Sequence, residues 1–166
     1  MVCFFQYNLN VILLVETKVK VAETKEQTRF KRSNNGVPFD LYVETLVVTD
    51  YTVFNDHKVL AGSSDPSKVM AHMRVYFAHL FNGVAQRYLN SADSDLRIFV
   101  KLSNYLFLNT EAESNWTSSS LYGVPGNPTY NGKEVVNSAL VLAALRNYLN
   151  SLTFSFSYDH AAGFFK

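Results

Sequence analysis

The sequence has little of what would place it in a specialised class. Cys3 is its one cysteine, which excludes an internal disulfide and a cysteine-built zinc site. Neither sign of charge dominates: Lys and Arg total 15 against 14 Asp and Glu, a net +1. That balance gives no electrostatic pull toward nucleic acid or an anionic membrane. No apolar run reaches the roughly 20 residues that a membrane-spanning helix requires. Several catalytic signatures are also missing: the His-Glu-x-x-His zinc helix, the Gly-x-Ser-x-Gly elbow, the phosphate loop and the Gly-x-Gly-x-x-Gly turn. What is present is 166 residues, 48% hydrophobic and 14% aromatic, enough for one domain with a substantial core. Wholesale disorder is excluded by the same figures.

The most strand-like run is Leu41 to Asp50, Leu-Tyr-Val-Glu-Thr-Leu-Val-Val-Thr-Asp, with no Gly or Pro inside. Leu46, Val47 and Val48 are consecutive and apolar, which predicts a strand covered on both faces in a helix-flanked sheet. Glu44 lies within that strand and Asp50 ends it; a carboxylate there needs a partner or a ligand. Tyr51 to Asp65 reads as a polar loop. Asp65-Pro66 then starts a helix to about Leu89, with Val69, Met70, Met73, Tyr76, Phe77, Leu80, Phe81, Val84 and Tyr88 on one apolar stripe. A second strand is expected over Leu96 to Leu102, with a bend at Ser103-Asn104 and a continuation over Tyr105 to Leu108. Asn109 to Gly132 is a long polar loop containing Asn115-Trp116-Thr117, an N-glycosylation acceptor in a secreted protein. A second helix is expected over Glu134 to Leu149, with Val135, Ala139, Leu142, Leu145 and Leu149 inward, and a third strand over Tyr158 to Phe165. This alternation predicts an α/β fold, a mostly parallel twisted sheet with crossover helices.

The first 36 residues read differently. Met1 to Val15 is apolar and reads either as a signal peptide, without a basic flank or a clean small-x-small cleavage site, or as a strand-like piece of a larger pro-segment. Arg29-Phe30-Lys31-Arg32 fits the Arg-x-Lys-Arg pattern cut by furin-like convertases, and the polar Ser33-Asn34-Asn35-Gly36 follows it. Residues 1–36 are therefore read as a pro-segment remnant or linker, with Arg29, Lys31 and Arg32 as the processing residues.

The histidines give no metal motif. His72 and His79 are seven apart on one expected helix, too far to share an ion, and both are assigned to its wet side. His57 falls in the expected loop and His160 at a strand start, where packing or a hydrogen bond is the simpler role. A strand ending in Asp also resembles the start of an integrin-type adhesion module, in which Asp-x-Ser-x-Ser holds magnesium. Here the run is Asp50-Tyr51-Thr52-Val53-Phe54; Thr52 can replace the first serine, but Phe54 offers no oxygen to a hard cation, so a non-catalytic α/β module with a divalent cation at Asp50 stands as the alternative reading.

Taken together, Tyr42-Val43-Glu44-Thr45-Leu46-Val47-Val48-Thr49-Asp50 resembles the opening strand of the adamalysin/reprolysin-type zinc metalloproteases, Tyr-Ile-Glu-Leu-Val-Val-Val-Ala-Asp. Phe81-Asn82-Gly83-Val84 and Tyr88 are similar to the end of that family's long helix. Leu96 to Leu102 resembles its second strand and Tyr158-Asp159-His160-Ala161 its third. The resemblance spans residues 37–166, about the first half of such a catalytic domain, the upper subdomain of a zincin-like fold. It implies a secreted endopeptidase that hydrolyses extracellular proteins with zinc-activated water. It also implies that Glu44 and Asp159 help hold a structural calcium. The family's zinc helix has no counterpart here, so no catalytic residue and no zinc ligand is assigned, and this chain alone is expected to be inactive. With the rest of such a domain missing, apolar surface on the last strand and helix is expected to be uncovered.

Overall fold

The computed structural model describes residues 13–16, 39–90, 96–117, 129–130, 133–134 and 138–166. Its centre is the long strand β2 (Phe39–Thr49), which places Leu46, Val47 and Val48 at 0% exposure. Three apolar residues in succession can be buried only if both faces of the sheet are covered, and both are. On one side β2 pairs in parallel with β3 (Leu96–Phe107), and on the other with β6 (His160–Phe164). The edge of β6 is taken by β1 (Leu13–Glu16), antiparallel, giving the order β1-β6-β2-β3. The expected mostly parallel α/β sheet is thus the observed architecture. The bend expected at Ser103 is a bulge inside one continuous strand: Thr45 faces Leu102 and Leu46 faces Asn104, so Ser103 is the extra residue. A further short pair, β4 (Thr129–Tyr130) and β5 (Lys133–Glu134), stands apart from the main sheet.

From β2 the chain reaches β3 through α1 (Tyr51–Leu60) and α2 (Pro66–Asn90); from β3 it returns to β6 through α3 (Ser138–Ser151). The first crossover carries the chain from β2 to β3, and the second carries it back past β2 to β6 on the other side. Crossovers of one hand must then lie on opposite faces of the sheet, and the two cores divide that way. Val47, Ala162 and Phe164 meet Val53, Phe54, Val69, Met73, Phe77 and Phe81 of α1 and α2. Leu46, Val48 and Ala161 meet Trp116, Val141, Leu145 and Leu149 on the α3 side. Gly163 sets the spacing there: a Cβ at that position would stand 2.7 Å from Leu145 Cδ2 and 3.4 Å from the Trp116 ring.

Three expectations need correction. The stretch after β2 is a helix rather than a loop. Asp50 caps it by accepting from the Val53 amide at 3.0 Å, and Val53, Phe54 and His57 repeat at one-turn spacing on its buried side. α3 begins at Ser138, with Glu134 in β5; Ala139 is exposed and Val141 is the buried residue of the first turn. The last strand is not bare: Ala161, Ala162, Phe164 and Phe165 are buried and β1 pairs along its outer edge. Val135 lies outside the described residues.

Candidate functional site

In a sheet whose crossovers run in opposite directions about a central strand, the carboxyl ends of the strands at that switch point form the usual binding crevice. Here that place is the end of β2, where Asp50 is 1% exposed. Its amide donates to the Phe164 carbonyl at 3.0 Å, tying the ends of β2 and β6 together. Its carboxylate gathers donors from two separate segments. Oδ1 accepts from the Thr52 hydroxyl at 2.7 Å and the Val53 amide at 3.0 Å; Oδ2 accepts from the Thr117 hydroxyl at 3.2 Å. Buried Ser114 extends the cluster by accepting from the Tyr51 amide at 2.9 Å. Burial raises the Asp50 carboxyl above its ordinary value of 3.8, and the hydrogen bonds from Val53, Thr52 and Thr117 only partly offset that. The turn at Asn115–Thr117 packs against this strand end, with Thr117 on Asp50 and Trp116 2% exposed. Phe54 sits in the core at 1% exposure and brings no oxygen to this cluster.

Glu44 and Asp159, the residues assigned to calcium by resemblance, are neighbours through their backbones where β2 pairs with the segment entering β6, while Glu44 Oε2 lies 3.5 Å from the Ser157 hydroxyl. The Glu44 amide donates to Asp159 Oδ2 at 2.9 Å, and the Asp159 amide donates to the Glu44 carbonyl at 2.8 Å. Glu44 is half-buried and Asp159 exposed. These two would supply two of the six to eight oxygens that calcium takes. Among the described residues no group of three or more His, Cys, Asp or Glu is placed to hold a metal ion. Asn115 is exposed, as a glycosylation acceptor must be. Arg29, Lys31 and Arg32 lie outside the described residues.

The histidines are arranged differently from the expectation. His57 lies on α1, fully buried, and its Nδ1 stands 3.1 Å from Nδ1 of half-buried His72 on α2; His79 is exposed. Their separation of 15 positions hides the pair from any local spacing pattern. Tyr76 and Phe77 also face the His57 ring, at centroid distances of 5.0 and 6.1 Å. Its Nε2 has no hydrogen-bond partner among the described residues. His160 Nδ1, likewise buried, is without a partner among them, so the hydrogen bond considered for it is not found at that atom.

Burial lowers the His57 pKa below its ordinary 6.5; nearby His72 lowers it further, and Asp56 partly opposes both. The unfolded chain therefore binds more protons than the folded one just below pH 6.5. The stability from keeping His57 neutral is present above that pH and is lost as pH falls toward the depressed folded value. Thermal melts in metal-free buffer are expected to drop between pH 7 and 5, and a His57→Phe variant should lose much of that drop.

The chain matches no protein-family model, no curated protein and no solved structure, so the site rests on its own geometry.

Proposed function

We propose that this chain is the scaffold portion of a secreted zinc metalloendopeptidase of the adamalysin/reprolysin type. One observation carries the reading: the three strands bearing the resembling motifs, β2, β3 and β6, are neighbours in one parallel sheet. Glu44 and Asp159 meet at that junction, as a shared structural role for the two motifs requires. On this reading the sheet and its helices position a cleft completed by a zinc helix encoded further along the gene. Calcium, held in part by Glu44 and Asp159, would brace the start of the sheet. Zinc would supply the activated water once the complete domain binds it.

The test is to read the gene beyond Lys166 and to assay both products on a quenched fluorescent peptide. A His-Glu-x-x-His helix is expected in the continuing frame. The longer product should hydrolyse peptide in a zinc-dependent, chelator-sensitive manner, and the 166-residue chain should not. A stop codon directly after Lys166, or chelator-resistant hydrolysis by the short chain, would overturn the proposal.

A further inference from the structure

We propose that His57 and His72 form a two-histidine site for a borderline transition-metal ion, zinc, nickel or copper, which staples α1 to α2. The proposal uses none of the motifs on which the peptidase reading rests.

Two imidazole nitrogens bound to one tetrahedral zinc at about 2.0–2.1 Å lie about 3.3 Å apart. The two Nδ1 atoms are 3.1 Å apart, so a small rotation of each ring admits an ion between them. The rings are tilted by 57° with centroids 5.2 Å apart, rather than stacked face to face. Two nitrogens this close must otherwise share one proton, because two bare lone pairs repel. A shared proton and a bound ion alike leave His57 Nε2 without a partner among the described residues, so it is the closeness of the two Nδ1 atoms that carries the site. An ion would take both Nδ1 lone pairs, with the shared proton passing to the Nε2 of the ring that held it, so that both imidazoles stay neutral.

The supports of the two rings differ in a useful way. His57 is held on the buried side of α1 against Tyr76 and Phe77, so one ligand is fixed before the ion arrives. His72 is half-buried, which leaves an entry path and room for water on the outer side. The helices fold back on each other through a turn whose Gly62 has φ +59°, a conformation that side chains disfavour. Among the described residues no carboxylate or thiol completes a three-ligand set here, so water fills the remaining positions. With only imidazole donors, the site selects copper, nickel and zinc over magnesium or calcium.

The experiment uses the 166-residue chain stripped of metal with a chelator and dialysed. Addition of about 1 mM zinc or nickel is expected to raise Tm by about 5 °C, and magnesium to leave it unchanged. His72→Ala removes a half-exposed ring and should fold; it is expected to abolish the rise. His79→Ala, on the exposed side of the same helix, should retain it. Equilibrium dialysis against nickel should give one ion per chain in the wild type and none at that affinity in His72→Ala. Equal stoichiometry in the two proteins, no zinc or nickel response in the wild type, or an equal response to magnesium would overturn the proposal.

Discussion

Asp50→Ala is expected to lower stability by about 3 kcal/mol, measured by urea denaturation at pH 7. Loss of a helix cap accounts for about 1 kcal/mol. The Thr52 and Thr117 hydroxyls also lose a charged acceptor, although Thr117 keeps the Ser114 carbonyl at 3.0 Å, and hydrogen bonds to a charged group are worth about 1.5–3 kcal/mol. Asp50→Asn should behave differently. Asn caps helices as well as Asp does, and its carbonyl can still accept from Val53 and Thr52. The sign of the pH dependence separates the two residues. Because the folded carboxyl titrates above 3.8, the folded state holds its proton more tightly, and the stability from that proton is lost as pH rises through the folded value. The stability of Asp50→Asn relative to wild type should therefore increase as pH climbs from 3.8 through that value. A flat difference across that window, or an Asp50→Ala variant as stable as wild type, would show that the cluster does not hold the strand end to the turn.

Phe77→Ala is expected to cost more, about 3–5 kcal/mol, a large share of the 5–15 kcal/mol available to an ordinary domain. Its ring is 1% exposed and touches every layer on its side of the sheet. It lies edge-on to Phe164 of β6 at 4.7 Å and to Tyr76 at 5.2 Å, with Phe107 of β3 at 5.9 Å and His57 of α1 at 6.1 Å. Truncation leaves a void between rigid elements that cannot close around it. Val75, two residues earlier and 60% exposed, is the control: Val75→Ala should change stability by no more than about 0.5 kcal/mol. Similar urea midpoints for the two variants would mean that α2 does not pack on the sheet by this face.

The parts of the fold legible in the sequence are those where one physical signal was strong over many residues. Leu46 to Val48 announced a doubly covered strand, and Val69, Met73, Phe77 and Phe81 kept a helical period over several turns. Helix α1 was hidden because its buried side is only Val53, Phe54 and His57, in a run that otherwise reads as polar. Its cap was hidden by position, since Asp50 is at once the end of a strand and the start of a helix. On α3 the expected inward positions Leu142, Leu145 and Leu149 do pack in the core, but Ala139 is exposed and Val141 takes its place in the first turn. The site was less legible than the fold. Thr117 reaches Asp50 across 67 positions and His72 reaches His57 across 15, distances that only the tertiary path of the chain can close. Glu44 stands out as a carboxylate within an apolar strand, whereas Asp159 could be named only because the motif around it resembles a family.

The antiparallel seam between Leu13–Glu16 and His160–Gly163 bears on what a convertase cut after Arg32 would yield. A nick there severs the covalent link but not the ladder, so the leading peptide would stay docked as a separate polypeptide and co-purify with the remainder. Pulling it away would bare the outer rim of β6, a row of free amides and carbonyls able to recruit any extended segment that comes within reach.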